Sequence, residues 1–260
     1  MKLYHNPLSS CSQKVRMVLS EKQLSWDSEV VDLQKGEQFA QAYVALNPNA
    51  VVPTLVDNGH VVIESTLINE YLDDAYPDVA LKPTNAASRH QMRHLVKRID
   101  DALHGACGVI TYAIGVRPAL MLRPTEEVDI LINQIPDPSR RETRRSVVKL
   151  GVQAPAFVTA LETHNTIFDV AESLLQSANW LAGDTLSLAD CALLPYVIRV
   201  DHLALEDEII KRPALTRWYE AIQARPAFAE AVTSWLPEPA IAGFRAAGEA
   251  VAEEIANLPR

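Results

Sequence analysis

Three hydroxyls and one thiol lie together near the N-terminus, where a short apolar strand pattern turns into a helix. Ser9, Ser10, Cys11 and Ser12 follow the turn at Pro7 and open the helical pattern. Serine is favoured at helix starts because its side-chain oxygen accepts from the N–H groups of the first turn. The same N–H groups and the helix dipole stabilise a negative charge there. The stretch predicts either an ordinary helix cap or a site that holds a thiolate, which would be Cys11's own or a ligand's.

A proline and an acidic-serine pair stand at two other element boundaries. Pro53 directly precedes a strand pattern. Because proline has no N–H, it must lie at the first residue of a strand or at a sheet edge, and a cis bond fits that position. Glu64 and Ser65 follow a strand pattern and open a helix. The Ser65 hydroxyl and N–H suit a carboxylate and Glu64 suits an ammonium group, although the pair is also compatible with a plain helix cap.

The elements that must position these residues alternate between strands and helices over residues 1–80. Apolar alternation predicts strands at 1–5, 25–31, 54–56 and 60–63, and helical spacing predicts helices at 11–22, 35–46 and 65–76. Asn58-Gly59 between two β-branched runs indicates a hairpin. The order βαβ, α, ββα predicts a four-stranded mixed sheet flanked by helices, which is the thioredoxin arrangement.

The remainder of the chain, residues 86–260, shows helical spacing without strand alternation. We therefore predict two domains, an α/β domain over 1–80 and an all-α domain over 86–260. Within the second domain, residues 116–151 form an extended insertion rich in proline. Its arginine cluster is interpreted either as a receptor for an anionic substrate or as the solvated face of a short helix capped by Ser139.

Composition limits the function classes. The net charge of −9 argues against a nucleic-acid surface, which would be basic. The three cysteines are far apart in sequence and fit a reducing compartment better than a disulfide framework. No run of apolar residues is long enough to span a bilayer, and no cluster of metal-ligating residues is indicated. We expect a soluble cytoplasmic protein without a metal or a membrane partner.

The first-turn hydroxyls, the Val52-Pro53 pair and the Glu64-Ser65 pair, in this order and spacing, resemble the glutathione transferase superfamily over nearly the whole chain. The resemblance implies a thioredoxin-like first domain, an all-α second domain, glutathione as co-substrate and a homodimer. The stretch 183–190 also resembles the family's buried capping motif, in which Ser187 and Asp190 satisfy each other's N–H groups.

The resemblance implies a role for each candidate binding residue. Val52 and Pro53, with the proline in cis, would present a backbone edge to the cysteinyl unit of glutathione. Glu64 and Ser65 would hold the γ-glutamyl end. Gln38 stands where related sequences place a residue that reaches the glycyl end.

The first turn resembles the zeta class, the maleylacetoacetate isomerases, and also the bacterial tetrachlorohydroquinone reductive dehalogenases. The insertion over 116–151 resembles that of the bacterial β-etherases. The sequence departs from the zeta class in this insertion and in having Glu64 where that class has glutamine. Zeta substrate chemistry is therefore not transferred to this chain.

The function that we expect is a glutathione transferase acting on a hydrophobic, aromatic electrophile. Ser9 is the first candidate for a hydrogen bond to the glutathione sulfur, and Ser10 is the second. Cys11 either packs beneath the turn or forms a mixed disulfide, which would support reductive dehalogenation, β-ether cleavage or isomerisation. A glutathione-binding interaction protein without turnover is the alternative from a different class.

Overall fold

The computed structural model describes residues 1–259 and separates into two compact units. The sheet unit comprises Met1–Lys97, Ser173–Pro195 and Thr216–Leu236. The helical unit comprises Arg98–Glu172, Tyr196–Leu215 and the chain from Pro237 onward. These units gather segments that are distant in sequence, so the predicted boundary between residues 80 and 86 stays a prediction.

The sheet has four strands in the order β2-β1-β3-β4. β1 is parallel to β2 and antiparallel to β3, and β3 is antiparallel to β4. The mixed sheet predicted from the βαβ, α, ββα order is confirmed. The strands are β1 (Lys2–His5), β2 (Asp27–Val30), β3 (Thr54–Asp57) and β4 (His60–Ile63).

Helices cover most of the rest of the described chain. The predicted helix over 35–46 is a 3₁₀ turn, Glu37–Phe39, followed by one short α-helix. The α-helices are α1 (Ser10–Glu21), α2 (Gln41–Val44), α3 (Ser65–Ala75), α4 (Ala86–Arg98), α5 (His104–Ile110), α6 (Arg117–Met121), α7 (Thr125–Asn133), α8 (Pro138–Leu150), α9 (Pro155–Leu175), α10 (Leu188–His202), α11 (Asp207–Ile210), α12 (Pro213–Gln223), α13 (Pro226–Ala231) and α14 (Glu238–Ala256). No helix in this part of the chain is long and apolar enough to cross a membrane.

The proline-rich stretch 116–151 contains three helices, α6, α7 and α8, where the sequence had indicated one short helix. Pro138 is the first residue of α8, Pro118 is the second of α6 and Pro124 caps α7. Proline is favoured at a helix start because its missing N–H costs nothing there. The N-cap of α8 also lies two residues earlier than expected. Asp137, and not Ser139, accepts a hydrogen bond from the backbone N–H of Arg140 at 2.6 Å. Within this cluster, Arg144 lies against the Tyr112 ring, 3.0 Å from its centroid.

The predicted capping motif is present at the start of α10. Asp190 is fully buried and accepts hydrogen bonds from the Ser187 N–H and hydroxyl, each at 2.8 Å. It also accepts from the Leu181 N–H and the Trp218 indole. The Ser187 hydroxyl oxygen accepts from the Ala189 N–H at 3.3 Å, whereas the Asp190 N–H donates to the Ser187 backbone carbonyl at 3.1 Å, so the side-chain pairing is less reciprocal than predicted. Burial raises the pKa of the Asp190 carboxyl, and its hydrogen bonds act in the opposite direction.

Candidate active site

The sheet register places the last residues of β1, β2 and β4 and the first residue of β3 at the same end of the sheet. Tyr4 of β1 stands opposite Thr54, the first residue of β3. Thr54 in turn stands opposite Ile63, the last residue of β4. His5 and Val30, which end β1 and β2, are paired in the parallel register. The segments that follow β1 and β4 and the segment that precedes β3 therefore start from the same end of the sheet.

Ser9, Pro53, Glu64 and Ser65 belong to these segments. Ser9 lies after β1, Pro53 immediately before β3, and Glu64 and Ser65 immediately after β4. The sheet thus brings together the Ser9 turn and the two later features, of which Pro53 is 44 positions further along the sequence. This grouping is a consequence of the register and not of any local pattern.

Ser9 is the N-cap of α1, with φ −72° and ψ 122°. Its side-chain oxygen accepts from the Ser12 N–H at 3.2 Å, and its carbonyl accepts from the Gln13 N–H at 3.0 Å. The cap predicted from the hydroxyl-rich turn is confirmed. Because a hydroxyl accepts through its oxygen lone pairs, the cap leaves the Ser9 O–H available to donate to a ligand.

Ser10 and Cys11 are the first two residues of α1, and both are half-buried. None of the three cysteines is in a disulfide. Cys107 and Cys191 are buried, and burial raises the pKa of the Cys191 thiol well above its ordinary value. Cys11 is therefore the most accessible of the three thiols, and it lies at the helix start where a thiolate is favoured.

The Val52–Pro53 peptide bond is cis. The loop before it is held by two residues that the sequence did not identify. The Tyr43 hydroxyl donates to the Val51 carbonyl at 2.6 Å, and the Asn47 amide donates to the same oxygen at 2.9 Å. No hydrogen bond within the described residues uses the backbone N–H or carbonyl of Val52.

Glu64 precedes α3 in a conformation that favours glycine, with φ 68°. A non-glycine residue held in such a region costs about 1–3 kcal/mol and is often found at ligand sites. Its carboxylate does not cap the helix but accepts from the Asn49 amide at 3.1 Å. Ser65 is buried at the first position of α3, where the backbone N–H has no acceptor within the helix. The pair offers one exposed acceptor and one anion-binding helix start.

Gln38 lies in the 3₁₀ turn after β2 and is 9% exposed. Its amide oxygen has no hydrogen-bond partner among the described residues. A buried polar atom left without a partner costs about 1–3 kcal/mol, so such atoms are usually satisfied by a water or a ligand. The Val52 backbone, the helix start at Ser65 and the Gln38 oxygen are thus three polar features that can pair with a peptide-like, charged ligand.

A buried histidine supports the turn that carries Ser9. Burial, and then the Arg16 guanidinium, lower the pKa of His5 to about 4, so this imidazole is neutral at pH 7. His5 Nδ1 contacts Arg16 at 3.1 Å and Nε2 contacts the Ser28 hydroxyl at 2.8 Å. Since a guanidinium is only a donor, His5 accepts through Nδ1 and carries its proton on Nε2.

Comparison with known proteins decides the family. The model described as glutathione S-transferase, N-terminal domain, matches residues 8–75, and the corresponding C-terminal model matches residues 136–226. The maize protein glutathione S-transferase 3 is 30% identical over 244 residues, which cover 92% of this chain and 96% of the maize protein. The chain belongs to the glutathione S-transferase family. Glutathione is accordingly its co-substrate, as the sequence predicted.

Two further relatives of this family member carry more specific names. Protein LigF of Sphingobium sp. (strain NBRC 103272 / SYK-6) is 29% identical over 246 residues, or 88% of this chain and 92% of LigF. The crystal structure of β-etherase LigF superposes with a TM-score of 0.79, covering 88% of this chain and 97% of that one. The holo structure of maleyl pyruvate isomerase, a bacterial zeta-class protein, has a TM-score of 0.70 and 25% identity over 92% of this chain and 99% of its own.

Proposed function

We propose that this protein activates the glutathione thiol at Ser9 and joins the resulting thiolate to a hydrophobic, aromatic electrophile. The observation that carries the proposal is the geometry of the α1 cap. The Ser9 oxygen is engaged by the Ser12 N–H, while its proton is left to donate at the positive end of the helix. A free thiol with a pKa of about 8.5 is mostly protonated at pH 7. A decrease of about 2 units corresponds to roughly 2.7 kcal/mol of preferential stabilisation of the thiolate.

The remaining candidate residues bind the tripeptide in this proposal. The backbone edge at Val52 pairs with the cysteinyl unit, and Glu64 with Ser65 holds the ammonium and carboxylate of the γ-glutamyl end. The Gln38 amide oxygen, which has no partner among the described residues, accepts from the amide N–H of the glycyl unit. In the reaction the thiol proton is released to solvent, the sulfur–carbon bond forms, and the leaving group departs with its electron pair. A cytoplasmic homodimer is the state that we expect for this enzyme.

A second candidate is glutathione-dependent cleavage of an aryl β-ether. The likeness to LigF, which is named a β-etherase, favours it. The glutathione sulfur would displace the ether oxygen, which leaves as a phenolate and is then protonated.

In the related reductive reaction, the Cys11 thiolate attacks the sulfur of a glutathionyl intermediate. The Cys11–glutathione disulfide forms, the carbon–sulfur bond breaks, and the carbanion takes a proton; a second glutathione then reduces the disulfide.

Separate Ser9→Ala, Ser10→Ala and Cys11→Ala variants test the proposal, with an activated chloroarene and an aryl β-ether as electrophiles. We expect Ser9→Ala to lower kcat/KM on the chloroarene by about 10- to 100-fold near neutral pH, because the sulfur loses its donor. Ser10→Ala and Cys11→Ala should remain within about threefold of the parent.

Each other outcome has a definite meaning. Loss in Ser10→Ala with Ser9→Ala unchanged would move the role to Ser10 and overturn the assignment made above. Loss confined to Cys11→Ala would favour the reductive chemistry. Retention on immobilised glutathione with no turnover of either electrophile would support the non-catalytic alternative. Turnover of the aryl β-ether alone would make the second candidate the function.

A further inference from the structure

Arg16 is a buried cation whose partners lie in the turn before Ser9 and in α13. It stands in the second turn of α1 with 1% of its surface exposed. Its Nε donates to the Ala231 carbonyl at 2.7 Å. One terminal nitrogen donates to the Asn6 carbonyl at 3.2 Å and to His5 Nδ1, and the other donates to the Pro7 carbonyl at 3.1 Å. None of these partners is a carboxylate.

The Asn6 carbonyl connects this guanidinium to the candidate catalytic residue. The same oxygen that accepts from Arg16 also accepts from the Ser9 N–H, at 3.2 Å. The Asn6 side chain fixes the turn from its other side, accepting from the Leu8 N–H at 3.0 Å and donating to the Val31 carbonyl at 3.0 Å. One shared carbonyl therefore separates the buried charge from the backbone of the α1 cap.

The acidic residues of α1 and α13 are engaged elsewhere. Glu21, at the end of α1, receives both hydrogen bonds of the Arg225 guanidinium at 2.6 Å. Glu230 on α13 accepts from the Ser20 hydroxyl at 2.5 Å. Burial lowers the pKa of Arg16 to about 9. This value is still well above 7, so the guanidinium remains cationic at neutral pH. The histidine that contacts it is neutral, so a positive charge lies directly beneath the Ser9 turn.

We propose that Arg16 is a positioning residue of the thiolate site, which fixes the Asn6–Pro7 carbonyls and thereby orients the Ser9 cap. The inference rests on the proposed function, because it assigns Arg16 a role through Ser9. The guanidinium acts in two ways. It holds the turn through directed hydrogen bonds, and its charge adds to the helix dipole that favours an anion at the cap. Arg16 itself does not touch the sulfur in this scheme.

The test is an ultraviolet titration of the thiolate of bound glutathione in the full-length protein. We expect Arg16→Met to raise the pKa of the bound thiol by about 1 unit, which lowers the thiolate fraction about fivefold near pH 6.5, where about half of the parent's bound thiol is ionised. kcat at about pH 6.5 should fall in parallel and recover near pH 9, where the thiol ionises without help. Arg16→Lys keeps the charge and most of the volume, so it should fold and raise the thiol pKa by only about 0.5 unit, which lowers the thiolate fraction near pH 6.5 about twofold.

Arg225→Met is the matched control. This arginine ties the opposite end of α1 to the start of α13 through Glu21, and it has no bond to the Ser9 turn. We expect it to lower thermal stability without moving the thiol pKa. An unchanged thiol pKa in both Arg16 variants, or an equal shift in Arg225→Met, would overturn the inference while leaving the proposed function intact. A parent protein that binds glutathione without forming its thiolate would overturn the proposed function and the inference with it.

Discussion

At the scale of single residues, the site depends on side chains that hold backbone groups in place as much as on those that would touch glutathione. Tyr43 has this role for the loop before the Val52–Pro53 bond, because its hydroxyl binds the Val51 carbonyl at 2.6 Å. Burial raises the pKa of Tyr43, so the hydroxyl stays protonated and remains a donor at neutral pH. Loss of the Tyr43 hydroxyl would remove one of the hydrogen bonds that hold the Val51 carbonyl, next to the proposed peptide-binding edge at Val52.

Tyr43→Phe is expected to raise KM for glutathione about three- to tenfold with kcat nearly unchanged, and to cost about 1 kcal/mol of stability. The physical reason is the loss of one hydrogen bond that orders the binding edge. Steady-state kinetics with urea unfolding measures both effects. Tyr71→Phe is the matched control, since Tyr71 donates to Asp57 at 2.9 Å at the hairpin end of β3, away from the site. An equal KM change in the two variants would contradict the assignment.

At the scale of elements, α1 and α3 are the helices whose N-termini carry Ser9 and Ser65, and a buried ion pair joins their other ends. Lys22, the C-cap of α1, contacts Asp73 of α3 at 2.9 Å, and both side chains are nearly inaccessible to solvent. Asp73 also accepts from the Leu81 N–H at 2.7 Å. This pair therefore fixes the relative placement of the two helix starts that form the site.

Asp73→Ala should destabilise the protein by about 3–5 kcal/mol, because it leaves the Lys22 ammonium buried without its counterion. Asp74→Ala serves as the control. Asp74 is largely exposed and pairs with Lys82, so its loss should cost less than about 1 kcal/mol. Urea unfolding measures both values. Similar losses in the two variants would show that the buried pair contributes no more than an exposed one.

At the scale of the whole molecule, buried histidines make stability depend on pH. Burial lowers the pKa of His5, His164 and His202 to about 4 each, with nearby arginines contributing at His5 and His202. These groups stay neutral in the folded protein, whereas the unfolded chain takes up protons near pH 6.5. Their contribution is complete above pH 6.5 and is lost as the pH falls from 6.5 towards 4, by up to about 1.4 kcal/mol per pH unit for each histidine.

His164→Leu tests this account in the helical unit. His164 is 2% exposed, its Nδ1 contacts the Ala160 carbonyl at 2.8 Å, and its Nε2 has no partner among the described residues. Replacement by leucine should change stability by less than about 1.5 kcal/mol at pH 7.5 and should reduce the acid-induced loss between about pH 6.5 and pH 5 by about 2 kcal/mol. Urea unfolding of the parent and the variant at pH 7.5, pH 6.5 and pH 5 measures these changes in stability. An acid sensitivity equal to that of the parent would contradict the titration assigned to His164.

Several features of the fold and site were predictable from short stretches of sequence. The hairpin at Asn58-Gly59, the cap at Ser9 and the helix start at Ser65 each depend on the backbone preferences of a few neighbouring residues. Such preferences act over one turn, so a local pattern contains the information that decides them. The prolines of 116–151 show the limit, because proline marks both extended chain and the first turn of a helix, and the pattern alone did not separate the two.

The sequence by itself determined which residues start helices, end strands and carry reactive groups, and the family resemblance followed from their order. Only the tertiary structure decided which of them meet. The pairing of Tyr4 with Thr54 and of Thr54 with Ile63 sets the common end of the sheet, and the bond from Arg16 to Ala231 joins residues 215 positions apart. Such contacts arise because an unpaired buried polar group costs free energy, so most of these groups pair with whatever partner the packed chain supplies, however distant in sequence.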